Sequence, residues 1–257
     1  MRKLVSMEPQ PAGGRKVYLF AEEFTDHQEA VLGLVFARVL IRLGYRVEIP
    51  RHGESGRAAL SKGCLRLARK LALRNVELLS GVVTEEAPLI GIEPSCILSF
   101  RDEYPDLVPP EWREKARELG RNCLLYDEFL MREIQAGRIG PEAFEAAASG
   151  IYLHGHCHQK SLVGIDKTAE CLRTLVRASV TVIPSGCCGM AGSFGYEKEH
   201  YETSMAIGGM VLFPAVREAL AKQALVAAPG TSCRQQILDG TGVTALHPVE
   251  ILFRQLK

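Results

Sequence analysis

The 257-residue chain has no excess charge of either sign, with 31 basic against 30 acidic side chains and a formal net charge of +1. That balance gives no pull toward nucleic acid or an anionic membrane surface. Long hydrophobic runs are missing too. The stretch from Ala30 to Leu40 contains Arg38 and is too short to span a bilayer. The opening residues, Met1 to Met7, hold no apolar segment of signal-peptide length. These absences predict a cytoplasmic protein with no transmembrane segment, at most peripheral to the inner face of the membrane. No Gly-x-Gly-x-x-Gly motif opens a helix after a strand. Gly189 to Gly195 lacks the acidic partner expected downstream, which argues against a dinucleotide site. There is also no ferredoxin-type Cys-x-x-Cys-x-x-Cys run.

What is present suits a globular protein. The length allows one sizeable domain or two small ones. Hydrophobic residues at 47% and charged residues at 24% are ordinary, which leaves the eight cysteines as the compositional anomaly. In a small secreted domain they would read as disulfides. In a long chain without a secretion signal, clustered cysteines point instead to metal or redox chemistry.

The pattern of short apolar runs separated by helical periodicity runs through the chain twice. Val17 to Phe20, Tyr45 to Pro50 and Pro88 to Ile92 read as strands, with helices over about 28–43 and 58–79 between them. The second pass gives strands at Ile151 to His154, Val180 to Pro184 and Ala224 to Ala228, with helices at 167–177 and about 198–221. Val17 answers Ile151 and Pro50 answers Pro184 at a separation of 134, and Cys96 answers Cys233 at 137. This predicts an α/β protein of two repeats related by a pseudo-twofold axis, each a small parallel sheet flanked by helices. The expected boundaries are a tail at 1–16, a first half at 17–108, a charged helical connector at 109–150 and a second half at 151–257.

In open parallel sheets, ligands collect at the carboxyl ends of the strands. In the second half those ends carry His154-Gly-His-Cys157-His158, Gly186-Cys-Cys-Gly189 and Gly230-Thr-Ser-Cys233. Cys157, Cys187, Cys188 and Cys233 are therefore the candidate ligands, delivered by three loops to one place. Thiolates suit zinc, copper(I) or iron–sulfur clusters. Two adjacent cysteines fit a single zinc ion poorly, but they can reach different irons of a cluster. Glycines 186, 189, 192 and 195 would keep the backbone close and leave N–H groups to face the sulfurs. Met190 and Phe194 would shield the site from water. The competing reading, four buried structural thiols, fits an adjacent pair in a glycine-rich loop badly.

These residues carry a resemblance. Gly186-Cys-Cys-Gly189, with Cys157 before it and Cys233 after it, resembles the cysteine-rich CCG domain. That domain occurs twice in the cysteine-rich subunit of heterodisulfide reductase, and in the iron–sulfur subunits of glycolate oxidase, lactate-utilisation and anaerobic glycerol-3-phosphate dehydrogenase systems. His154 to Ser161, Glu93-Pro-Ser-Cys96 and Phe100 to Pro105 are most similar to the C-terminal region of fused FAD-linked oxidases of 2-hydroxy acids such as lactate or 2-hydroxyglutarate. The likeness spans about residues 17–253. It implies an iron–sulfur cluster, [4Fe–4S] in type since four ligands remain where fuller motifs supply five. It also implies FAD on a partner or a missing region, and a ferredoxin-type iron–sulfur module elsewhere. The first half departs from the pattern: Glu54-Ser55-Gly56 stands where Cys-Cys-Gly is expected, and only Cys96 remains. The first cluster is expected to be lost.

Other residues support smaller expectations. Cys96, His156 and His158 are candidate accessory groups around the cluster, and His154 belongs to the same histidine trio. Cys64, Cys123 and Cys171 fall in helical patterns and read as packing. His247, before Pro248, reads as a helix cap. Glu93 and Arg101-Asp102-Glu103 read as solvated loop residues. Lys160 and Arg234 flank cysteine loops and could offset negative charge there. Three functions fit: an electron-transfer component of a flavin-linked 2-hydroxy-acid dehydrogenase, a disulfide-reducing cluster like that of the heterodisulfide reductases, or a zinc-binding structural domain.

Overall fold

The computed structural model of the protein describes residues 1–257. The chain forms two compact units, Met1–Phe129 and Leu130–Lys257. The division falls inside the segment expected to be a connector.

The first unit opens with helix α1 (Arg2–Met7) and strand β1 (Arg15–Leu19). Helices α2 (Glu23–His27) and α3 (Ala30–Arg42) then cross over to β2 (Tyr45–Glu48). A second crossover, α4 (Arg57–Ser61) and α5 (Leu65–Leu79), leads to β3 (Leu89–Gly91). A third, α6 (Pro94–Ile97), α7 (Tyr104–Leu107) and α8 (Arg113–Arg121), leads to β4 (Cys123–Leu125). All neighbours are parallel, in the order β2-β1-β3-β4. Parallel neighbours need helical crossovers of this kind. Buried aromatics fill the space beneath the sheet, Phe20 meeting Phe100 edge-on at 5.2 Å and Phe100 meeting Tyr104 at 4.5 Å.

Helix α9 (Tyr126–Gln135) contains the division between the units. In the second unit, β5 (Ile151–Leu153) is followed by α10 (Cys157–Leu162) and α11 (Asp166–Leu175), then β6 (Val180–Val182). Helices α12 (Tyr201–Met210) and α13 (Leu212–Ala221) lead to β7 (Leu225–Ala227), and α14 (Thr231–Thr241) and α15 (Pro248–Gln255) complete the unit. The parallel order is β6-β5-β7. In both units the first strand lies between the second and the third, the topology expected of a repeat. The α/β class with two small parallel sheets is thus as the sequence predicts.

Several local expectations are corrected. The segment read as a helical connector supplies β4, paired with β3 at Leu89↔Cys123, so Cys123 is a fully buried strand residue rather than a helical one. The helix expected over 58–79 is broken at Gly63, which adopts φ +68°, and Cys64 is exposed at the start of α5. The helix expected over 198–221 bends by 54° between α12 and α13. Pro214 accounts for the bend, because it cannot donate to the Met210 carbonyl and its ring crowds that group. Glu93 is no solvated loop residue: it is 5% exposed and caps α6 by accepting from Ser95 N at 3.2 Å. Arg101 and Glu103 are likewise engaged, the first with Glu128 and the Cys123 carbonyl, the second with Arg57. His247 is the expected cap, with Nδ1 accepting from Val249 N at 3.1 Å and Glu250 completing a capping box. No single helix is long and apolar enough to cross a membrane; the bent pair α12–α13 passes that test only by combined length and composition.

Candidate metal centre

The site of the second unit is built at the carboxyl ends of its three strands. His154 extends β5 by one residue, its N–H donating to Ala227 O at 2.8 Å. Gly155 follows, where a Cβ would stand 3.0 Å from Ile165. His156 then caps α10, its Nδ1 accepting from His158 N at 3.2 Å, and Cys157 is the first helical residue. After β6 comes the loop of Ser185, Gly186, Cys187, Cys188 and Gly189. After β7, Pro229 and Gly230 lead into α14, whose third residue is Cys233.

The second loop needs its glycines unequally. Gly189 has φ +106°, and a Cβ there would lie 2.2 Å from Ser204 O on α12. Gly195 is packed against Ser204 Oγ and Met190 Sδ, at 2.4 and 2.6 Å from an added Cβ. Gly186 has open space, contrary to the expectation that all four glycines are required. Gln236 of α14 fixes Ser204 in turn, donating to its O at 3.0 Å and its Oγ at 3.1 Å. The loop is thereby held flat against two helices. Lys160 reaches across from α10 and donates from Nζ to Ser185 O and Gly186 O, both at 2.5 Å. Arg234 ties the third loop through Ala228 O at 2.9 Å and Pro229 O at 2.7 Å. These two cations act on loop carbonyls, a role the sequence reading did not give them.

The four thiols meet. Cys187 is in hydrogen-bond contact with Cys157 and with Cys188, and Cys188 is in contact with Cys233. Contacts to Cys157 and Cys188, with help from the Gly189 and Ala191 N–H groups, hold the Cys187 thiol well below its ordinary value despite burial. The Gly189 N–H stands 3.3 Å from its sulfur. Contact with Cys188, aided by His154 and His156, likewise lowers Cys233. Cys157 and Cys188 are pushed up, Cys157 first by Cys187 and then by burial, and Cys188 by its two sulfur neighbours and then by burial. The four sulfurs thus form a chain of contacts in which each thiol bears on its neighbour. Exposure is graded as well: Cys157 is exposed, Cys187 half-buried, and Cys188 and Cys233 are 3% and 2% exposed within the apolar core beside Met190, Phe213 and Ile237. Met190 shields the sulfurs as expected, whereas Phe194 is half-buried and stacks on His200 at 4.1 Å.

The donor set fits a thiolate-bound metal group. Soft sulfur donors converge, the backbone offers N–H groups to them, and the loop is too tightly packed at Gly189 and Gly195 for side chains. A Cβ at Gly230 would meet His156 Cδ2 at 2.4 Å and the Cys233 sulfur at 3.2 Å, so a fifth thiol at that position has no room.

Of the accessory candidates, His156 faces Cys233, and the backbone N–H of His158 meets the Cys157 sulfur. Cys96 belongs to the first unit, where it is fully buried and its sulfur lies within 4.8 Å of carboxylate oxygens of Glu22 and Glu23. His154, the first member of the histidine trio, lies closest to the sulfurs of the second and third loops. It is fully buried, Nδ1 lies 2.7 Å from Ser185 Oγ, and its ligand atom lies within 4.8 Å of both the Cys188 and Cys233 sulfurs. Its place one residue beyond the central strand is what carries it there.

No family model matches the chain. It is similar to D-2-hydroxyglutarate dehydrogenase of Pantoea ananatis, with 30% identity over 93% of this chain and 22% of that protein. A subunit of the anaerobic glycerol-3-phosphate dehydrogenase of Escherichia coli matches at 29% over 94% of this chain and 59% of its own length. Lactate utilization protein A of Bacillus cereus matches at 27% over 70% and 74%. The chain thus spans less than a quarter of the first relative and under two thirds of the second. These homologues are consistent with the cysteine-rich-domain resemblance.

Proposed function

We propose that this chain is the iron–sulfur electron-transfer component of a flavin-linked 2-hydroxy-acid dehydrogenase. Cys157, Cys187, Cys188 and Cys233 would hold the cluster, [4Fe–4S] in type. The observation that carries the reading is the meeting of thiols from three strand ends, Cys157 with Cys187, Cys187 with Cys188, and Cys188 with Cys233 beside His154. Such a group supplies one-electron chemistry when bound. This chain's residues orient it, exclude water on the Cys188 and Cys233 side, and direct the Gly189, Ala191 and Met190 N–H groups at the sulfurs. Substrate oxidation would take place at FAD on a partner protein or domain, and a ferredoxin-type module would relay the electrons. The eight free cysteines suit the reducing cytoplasm. The 2-hydroxyglutarate and lactate in the names of two relatives support the substrate class, and the dehydrogenase subunit that acts with glycerol 3-phosphate supports only the electron-transfer role.

The absence of room for a thiol at Gly230 weighs against direct disulfide reduction at a five-cysteine cluster. Zinc could occupy the same sulfurs as a substitute. Anaerobic purification with iron, sulfide and zinc analysis tests the proposal. About four irons and four sulfides per chain are expected, and the Cys187→Ser/Cys188→Ser variant should hold neither. Stoichiometric zinc without iron after anaerobic reconstitution would overturn it in favour of a structural domain.

A further inference from the structure

The site holds one buried polar group that the four-thiol reading leaves without a task. His154 is fully buried, and its Nε2 makes no well-formed hydrogen bond, although the ring lies close enough to the Cys233 sulfur to help hold that thiol low. With Nδ1 occupied by Ser185 Oγ at 2.7 Å, Nε2 is the nitrogen left to face Cys188 and Cys233, whose sulfurs share a 4.8 Å neighbourhood with the ring. A buried ring nitrogen without a well-formed partner is costly, so the placement calls for one in the loaded site.

Ser185 is the group that bears on which nitrogen carries the proton. The side chain is 6% exposed, and its hydroxyl has only His154 Nδ1 as a hydrogen-bond partner. With the hydroxyl as donor in this hydrogen bond, Nδ1 accepts and the ring proton sits on Nε2, where it can face sulfur. The main chain of Ser185 is itself fixed, because its carbonyl accepts from Lys160 Nζ at 2.5 Å.

We infer that Ser185 holds His154 in its Nε2–H tautomer, and that His154 donates this proton as an N–H···S hydrogen bond to the Cys233 ligand sulfur. The inference rests on the proposed cluster reading and deepens it. His154 would be a positioning residue that sets the reduction potential, since donation to a ligand sulfur favours the electron-richer state. In this tautomer Nε2 offers a proton to sulfur, whereas a metal-ligating nitrogen would offer its lone pair.

Two measurements test it. Long-range nitrogen–proton NMR of the reduced, metal-free protein should show His154 with Nε2 protonated and Nδ1 bare. Ser185→Ala should lose this fixed tautomer and Ser185→Thr should keep it. A wild-type ring protonated at Nδ1 would overturn the inference, and so would a tautomer unmoved by Ser185→Ala. In the reconstituted protein, EPR-monitored titration should give a more negative midpoint potential for Ser185→Ala and His154→Phe, with Ser185→Thr matching the wild type. Unchanged potentials in both would sink the role, as would nitrogen hyperfine coupling showing His154 bonded to the metal. Failure to take up iron would refute the cluster reading alone, because the tautomer is read without metal.

Discussion

Glu22 lies just past the end of β1, 1% exposed, with both carboxylate oxygens turned to the start of α2, where they accept from Phe24 N at 2.6 Å and Thr25 N at 3.0 Å. Burial, reinforced by nearby Glu93, raises its carboxyl from 4.5 to about 8 against the opposing Thr25 hydrogen bond. A carboxyl raised in the folded state binds more protons folded than unfolded, so its contribution is complete below about pH 4.5 and is lost as pH climbs through about 8. The first unit should therefore lose on the order of a few kcal/mol between about pH 5 and pH 9. Glu22→Gln should flatten that profile in urea titrations followed across the pH range, and an unchanged slope would contradict the assignment. The same neighbourhood shows why the first sheet's strand ends differ in chemistry. Ser55 stands where the repeat would carry cysteine, and it donates to Glu23 from N at 2.8 Å and from Oγ at 2.6 Å. Oxygen donors of this kind are hard and do not suit an iron–sulfur group. The residue types were legible from the sequence, because Glu-Ser-Gly against Cys-Cys-Gly is a change of alphabet. The burial of Glu22 and Glu93 was not, since it depends on three loops that meet only in the folded unit.

At the scale of elements, the loop after β6 carries the strictest geometry. Gly189→Ala forces a side chain at φ +106° into Ser204 O at 2.2 Å. It should destabilise the second unit by ~2–4 kcal/mol, read as a lowered unfolding midpoint, and reduce iron uptake on reconstitution. Gly186→Ala, with nothing within 4 Å, should stay within about 0.5 kcal/mol of the wild type. Equal effects at the two positions would refute this account of the loop. Strands and most crossovers could be read from periodicity alone, because a run such as Ile151 to Leu153 is apolar on every residue and is bounded by turn signals. Breaks inside helices were harder to see. Gly63 and Pro214 act through a single backbone position each, while the apolar pattern runs on past them. Strand β4 escaped notice for a related reason: Cys123 to Leu125 is three residues long and lies between helices rich in charge. Its identity comes from pairing with β3.

For the whole molecule, each unit has its own sheet and core, and the four candidate ligands all lie in the second. Metal uptake should thus increase hydrogen-exchange protection in the loops after β5, β6 and β7 and at the starts of α10 and α14, while β1 to β4 stay unchanged. Protection gained evenly across the chain would mean that the ligands have been misassigned. The repeat was legible because two passes of the same pattern recur at a near-constant spacing, whereas the place of the division was not, since α9 runs straight through it. The graded burial of the four sulfurs has a further consequence. Cys188 and Cys233 face the core, so traffic with the surroundings is confined to the side marked by Cys157 and Cys187. If these sulfurs hold a cluster as proposed, a redox partner would gain its shortest tunnelling path by docking over Cys157, and dioxygen would arrive by that same window. A docked partner would then be conduit and shield at once, and the undocked chain is the form in which the site is vulnerable.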